Sequence, residues 1–451
     1  EAALITEIGP GVSFRGNMAR VQAALNGSVR YERTSLNQTG NDVEADLAAN
    51  ASVEWLENTL FTDAAASVSQ QVLDSASGTS ASGTNNANEE TVQTYRVSPY
   101  LVNRFGRFGQ LETRYTGAAT LISEGGGGDR RFDRGDDDDA SDSIQHSVSL
   151  TLSSGPRFDR WTWALRGSAS ELNFLGDEED PGTGQQTNTD SDQSRRDVVL
   201  QNQFAISQSF ALTGDIGYQK LDSDDATDSF ESIRWTAGFR YTPSPDTLFA
   251  ASAGEVDDDR SFSLEARHDI SPRTTLSLTY REEVATGQER LVAQLPEDID
   301  EIDDPDPRDV RFSLRDEVTR TETLTGGFRT EFDRNSLNLS ATYQTEAEDV
   351  ARDDTTEERV SFSLGYTRPL TRDLDLNLDA SYENAQFSGV DAGAGPQDVE
   401  DDTYDAGLSL RYTGFQRLAF NVRYSFTTRD STRDQDDFTE NALTISGRYT
   451  F

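Results

Sequence analysis

Cysteine is absent from the chain, and methionine occurs once, at Met18. Without thiols there is no disulfide scaffold and no thiolate metal site, and an exported protein built this way avoids stray disulfides in an oxidising periplasm. His146 and His268 are too few for a histidine-rich zinc centre. Long apolar runs are missing as well: no stretch approaches the roughly 18 consecutive apolar residues of a membrane helix. Only 34% of the 451 residues are hydrophobic, and the mean hydropathy is -0.68. A soluble chain of this length folds as two or three domains with dense apolar segments, and such segments are not present. Basic residues are scarce, 40 against 81 acidic, for a net charge of -41. That balance excludes nucleic acid as a partner. No Gly-x-Ser-x-Gly, His-Glu-x-x-His or phosphate loop occurs, so no enzyme is expected. Gly125–Gly128 is a loop tip, because no helical pattern follows it to cradle a phosphate. The chain opens Glu-Ala-Ala without a basic n-region or apolar h-region, which fits removal of a signal peptide or a start inside the mature protein.

What is present is a two-residue beat. At the carboxy-terminus Leu443, Ile445, Gly447, Tyr449 and Phe451 alternate with Thr444, Ser446, Arg448 and Thr450. Leu418, Phe420, Val422, Tyr424 and Phe426 alternate with polar residues over 417–428, and Leu374, Leu376, Leu378, Ala380 and Tyr382 do so over 374–383. Ile233, Trp235, Ala237, Phe239 and Tyr241 repeat it over 233–242. Successive strand side chains point to opposite faces, so each segment has one apolar and one polar wall. One such strand would also suit a sandwich. About twenty of them, ending in an aromatic residue, point to an all-β fold: a large antiparallel transmembrane β-barrel forming a single domain over 1–451.

The connections alternate in kind. Short turns fall near 16–17, 57–59, 105–109, 155–160, 207–209, 243–246, 271–273, 333–336, 369–373 and 414–417. Longer acidic loops fall near 75–92, 124–142, 176–195, 286–317 and 389–402, with lesser ones between. Barrels of this kind place short turns in the periplasm and long loops outside, so localisation in the outer membrane of a Gram-negative bacterium is expected. Counting gives about 21 strands. Since such barrels are normally even-numbered, a further strand ahead of Glu1 is expected, making roughly 22; the alternative is that one strand has been split, near 256–260. About 22 strands tilted near 40° enclose a barrel about 40 Å across, too wide for wall side chains to fill. Loop 286–317, proline-containing and acidic, is the candidate for folding inward.

On the lumen beat stand Arg96, Arg114, Arg166, Arg234, Arg240, Arg267, Arg281, Arg329, Arg411, Arg423 and Arg448. Glu112, Asp215, Glu265, Glu331, Asp375, Asp379 and Glu383 share that face. The functional reading is a charged conduit that binds or guides a polar solute, an anionic one being one option. The plainer reading pairs arginine with carboxylate across a wet wall, and about three in four are expected to do so. Trp55, Trp161, Trp163, Trp235 and Phe451 are assigned to interfacial girdles. Asp136, Asp137, Asp138 and Asp139 could collect Ca²⁺ or Mg²⁺ loosely, but no loop has the spacing of a dedicated site, so no cofactor is expected.

The segment Phe239-Arg-Tyr-Thr-Pro-Ser-Pro-Asp-Thr-Leu-Phe-Ala-Ala-Ser-Ala-Gly254 is followed by Arg267-His-Asp-Ile-Ser-Pro-Arg-Thr-Thr-Leu-Ser-Leu-Thr-Tyr-Arg281. With Leu60-Phe-Thr-Asp-Ala-Ala-Ala-Ser-Val-Ser-Gln-Gln71 and Val97-Ser-Pro-Tyr-Leu101, the chain resembles the outer-membrane barrels associated with PEP-CTERM/exosortase systems, relatives of the β-barrel porin 2 group. The resemblance implies a role in exopolysaccharide export or anchoring, with surface polymer as neighbour; the barrel reading itself expects outer-membrane lipid and lipopolysaccharide around the chain and a periplasmic polysaccharide-export partner that gates it. It supplies no catalytic residues, and the long acidic loops depart from its pattern. Two other functions stay open: a structural or adhesive surface barrel with a blocked lumen, and a general diffusion porin, disfavoured for want of a constriction loop.

Overall fold

A computed structural model of the chain describes residues 5–34, 42–72, 89–123, 141–175, 192–223, 229–256, 259–297, 301–303, 318–348, 356–391, 396–433 and 436–450. Almost all of it is strand. In chain order these are β1 (Ile5–Ile8), β2 (Gly11–Asn17), β3 (Val21–Thr34), β4 (Asp42–Leu56), β5 (Leu60–Val72), β6 (Glu89–Arg104), β7 (Gly109–Ser123) and β8 (Asp142–Ser154). Then come β9 (Trp161–Leu175), β10 (Gln193–Ala205), β11 (Phe210–Ser223), β12 (Phe230–Ser244), β13 (Thr247–Val256), β14 (Asp259–Ser271) and β15 (Thr274–Ala285). A short helix α1 (Gly287–Ala293) and a 3₁₀ turn (Glu301–Asp303) precede β16 (Thr319–Phe332). The last are β17 (Asn335–Glu348), β18 (Thr356–Pro369), β19 (Leu374–Asp391), β20 (Pro396–Tyr412), β21 (Leu418–Ser431) and β22 (Phe438–Tyr449).

The 22 segments form one antiparallel sheet in which pairing joins neighbours along the chain. β1 and β2 are one strand for this purpose. Ile8 faces Tyr31 and Gly11 faces Ser28 in a continuous register on β3. Pro10, lacking an N–H, interrupts the ladder between them. Twenty-one hairpin-linked strands result, so the first and last run the same way. Among the described residues β22 pairs with β21 alone and β1–β2 with β3 alone. The suggestion of a split strand near 256–260 does not hold, because β13 and β14 are a true hairpin with Val256 facing Asp259.

Register carries the side-chain beat around the whole sheet, since residues opposite one another share a face. On the outer face Phe420, Val422 and Tyr424 alternate with Asn421, Arg423 and Ser425 on the inner. Aromatic pairs tie the outer wall across strands, such as Tyr382–Tyr404 with ring centroids 4.9 Å apart and Phe239–Phe249 at 5.6 Å. Large apolar side chains stand exposed all round it, up to 72% for Ile445. So much apolar surface is tolerated only against lipid. Turns at the short-loop end use the residues that accept a positive φ, Asn58, Asp333 and Gly106. At the other end the ladders run further than the sequence suggests: β19 reaches Asp391 and β20 begins at Pro396, so most of 389–402 is strand.

Candidate functional site

The segment after β15 turns into the lumen, where the sequence places its inward-folding loop. Thr286 starts α1 with a capping box: the Glu289 N–H donates to Thr286 Oγ1 at 3.1 Å, and the Thr286 N–H to Glu289 Oε2 at 3.2 Å. The helix then presents Arg290 to the wall it left. Arg290 donates to Glu346 Oε1 on β17 at 2.9 Å and to the Thr319 carbonyl on β16 at 3.3 Å, with 5% of the residue exposed. From there residues 286–297 and 301–303, the strut, cross to the far wall. Arg195 on β10 flanks the crossing, donating to the Val284 carbonyl at 3.2 Å and lying 3.8 Å from Glu289.

The far wall receives the strut on one register row. Ala24, Asn50, Ala65, Arg96 and Ala118 stand side by side on β3, β4, β5, β6 and β7. Alanines leave room for a second layer of chain, and all three are buried. Between them the Asn50 Nδ2 donates to the carbonyls of Pro296 at 2.8 Å and Glu297 at 3.0 Å. Arg96 donates to the carbonyls of Val292 at 3.3 Å and Pro296 at 3.5 Å. Leu291, Leu295 and Ile302 are buried where the strut sits. Asn50 is eight residues from the outer end of β4, Asp42. For tilted strands that depth is about 20 Å. The strut therefore crosses the lumen well below its mouth.

The strut's contacts fix the inner face, and register then places all eleven candidate arginines on it, with Asp375, Asp379 and Glu383. Pairing is rarer than expected. Arg114 bonds Asp63 at 3.0 Å and Glu112 at 3.2 Å, and its guanidinium lies 3.8 Å from the Tyr100 ring centroid. Arg423 reaches Asp379 at 2.7 Å across Gly407, where a side chain would collide with both partners. Arg267 and Arg329 pair along their own strands with Asp269 and Glu331, each at 3.3 Å. Arg166, Arg234, Arg240, Arg281, Arg411 and Arg448 have no ion pair among the described residues. The expectation that most would be neutralised is corrected accordingly for the described residues: on a wall wetted by lumen water a long arginine gains little by holding a neighbouring carboxylate.

Charge is also sorted along the axis, which the sequence reading missed. The short turns are the periplasmic ones in barrels of this kind. They and the strand ends beside them expose Arg20, Arg104, Arg107, Arg157, Arg160, Arg273, Arg334, Arg368, Arg372 and Arg417, none in an ion pair among the described residues, against fewer carboxylates in the same turns, Glu57, Asp159, Asp246, Asp333 and Asp373. The long loops hold the acidic runs. Reading arginine counts per turn would have found this ring. The strut's signals were equally present, as the Thr286-x-x-Glu289 box followed by Leu291 and Leu295. So were buried lumen-side apolar residues near outer strand ends, among them Val92, Leu172, Phe174 and Phe387.

Trp55, Trp161, Trp163 and Trp235 lie on the lipid face by register; the first three stand at the short-turn end and Trp235 nearer the loop end. His146 and His268 also face outward, bonded to Tyr115 and Thr247. Phe451 and Asp136, Asp137, Asp138 and Asp139 lie outside the described residues. Among the described residues no cluster of metal-ligating side chains occurs. The want of a constriction loop, which weighed against a diffusion porin, falls away with the strut.

No protein-family profile matches the chain, and no curated protein is similar to it in sequence. Its fold is similar to solved outer-membrane receptors. The FrpB iron transporter from Neisseria meningitidis superposes with a TM-score of 0.58 at 8% identity, over 100% of this chain and 80% of that one. The ferric-catecholate import receptor Fiu from E. coli, in its closed form, gives 0.56 at 10%, covering 99% and 81%. FpvA of P. aeruginosa, bound to pyoverdine, gives 0.55 at 10%, covering 99% and 70%. Identities this low establish the fold and nothing of the cargo. With the lipid-facing belt, the fold makes this chain an outer-membrane β-barrel of the Gram-negative kind.

Proposed function

We propose that this chain is a gated passage for polar solutes across the outer membrane, closed by the strut. The observation that supports the reading is a lumen-crossing segment tethered to opposite walls, at Arg290–Glu346 on one side and at Asn50 and Arg96 on the other. A barrel about 40 Å across would leak without an obstruction. The finer reading, export of a surface polysaccharide, draws on the sequence resemblance and on the basic periplasmic ring, which suits a polyanion arriving from inside.

Planar-bilayer recordings test the passage. The parent protein should show small, infrequent openings, and replacement of 286–317 by a Gly-Ser linker should give large, long-lived ones. A parent that already conducts as a wide pore, or a replacement that stays silent, contradicts the reading. For the cargo, loss of the gene should remove surface polymer and leave its precursor in the periplasm. Normal surface polymer in the deletion strain rejects polymer export while leaving the passage itself standing.

A further inference from the structure

We infer that the strut's seat is a binding site for an anionic group of the solute, a carboxylate or a phosphate, and that filling it releases the strut. The inference rests on the gated-passage reading and names the ligand chemistry of that same site. Asn50 and Arg96 are both donors, spaced about 10 Å apart with Ala65 between them. Their hydrogen-bond partners on the strut are the backbone carbonyls of Val292, Pro296 and Glu297. At 3.3 and 3.5 Å the Arg96 bonds are longer than the roughly 2.7–2.9 Å of a charge-assisted pair. Of the carboxylates that attract Arg96, Asp63 is committed to Arg114 at 3.0 Å and Ser52 at 2.8 Å, and Glu297 and Glu301 belong to the strut itself. A solute anion would thus offer Arg96 a stronger hydrogen-bond partner than the strut's carbonyls do.

The two ends of the strut differ in the way such a device needs. At the near end Arg290 already has its countercharge in Glu346 and lies buried, so an anion gains nothing there. At the far end neutral carbonyls give way, and the three alanines leave space for the incoming group. Displacement therefore swings the strut about Thr286. The net charge of -41 does not oppose this. The strand ends that lead to the other acidic loops lie about 20 Å above the seat, beyond the Debye length of about 8 Å in physiological salt, and Glu297 and Glu301, which attract Arg96 from the strut, leave with it. An anion coming from the periplasm first meets the exposed arginine ring.

The test uses spin labels on the full chain in liposomes, at Ala293→Cys on the strut and Phe105→Cys in a periplasmic turn, with no native cysteine to interfere. Millimolar trigalacturonate and glucose 6-phosphate serve as carboxylate and phosphate probes, with maltotriose as the neutral control. At least one anion should shift the interlabel distance saturably while maltotriose leaves it fixed; which of them acts tells the two chemistries apart. Arg96→Gln should raise the half-saturating concentration about tenfold or more, whereas Arg411→Gln, another lumen arginine, should not. Retention of heat-modifiable gel mobility shows that each variant is folded. No shift with either anion, an equal shift with maltotriose, or an unchanged response in Arg96→Gln overturns the site. If the labels move but conductance does not, the site stands and the passage reading fails.

Discussion

At the residue scale, the buried pair Arg290–Glu346 decides whether the strut is held. Removing one member of a buried ion pair strands the other, at a cost of about 3–5 kcal/mol. Glu346→Ala should therefore free the near end, and hydrogen exchange over 286–297 should rise while the strands keep their protection. Replacing both members by methionine should cost far less. Two glycines give a second contrast. A Cβ at Gly407 would fall 2.3 Å from Asp379 Oδ2, but that side chain and Arg423 can move into lumen water. A Cβ at Gly254 would fall 1.9 Å from the Trp235 carbonyl oxygen, which belongs to the neighbouring ladder. Gly407→Ala should lower thermal stability by about 1 kcal/mol or less, since the ion pair it disturbs is half exposed. Gly254→Ala should impair assembly outright, as read by the folded fraction on a gel. Equal effects would mean that the ladder yields as easily as a side chain.

At the element scale, the row of alanines is what lets a strand wall accept a second layer. Ala65→Phe should fill the seat between Asn50 and Arg96 and raise channel openings, as loss of the Asn50 amide would; unchanged recordings would place the strut elsewhere. Most strands were legible in the sequence because an alternating wall is written into every second residue. Leu376 and Tyr424 declare the outer face and Asp379 and Arg423 the inner. α1 was not legible by that route. Its seven residues are too few to show a helical period, and only the Thr286–Glu289 box marks its start. The seat was harder still, because Asn50 and Arg96 acquire their role from register and from a segment more than 190 residues away. Lumen positions were readable, but which arginines would find a carboxylate was not. Asp375 and Arg411 face each other directly in the ladder and still form no ion pair.

At the scale of the whole molecule, the same beat produces two solvents, lipid outside and water inside, with a strut across the water. No helix among the described residues is long and apolar enough to cross a membrane, so the strands must carry the crossing. Their 12 to 18 residues in β15–β22 exceed the roughly 9–11 that span the hydrocarbon, which leaves the outer ends to build a mouth. The most direct check is labelling with a membrane-impermeant thiol reagent along one strand. Single cysteines at 421 through 426 on β21, in a chain with none of its own, should react at 421, 423 and 425 and stay quiet at 422, 424 and 426. Uniform reaction at all six, or protection of 421, 423 and 425 with reaction at the others, would contradict a water-filled cylinder in lipid.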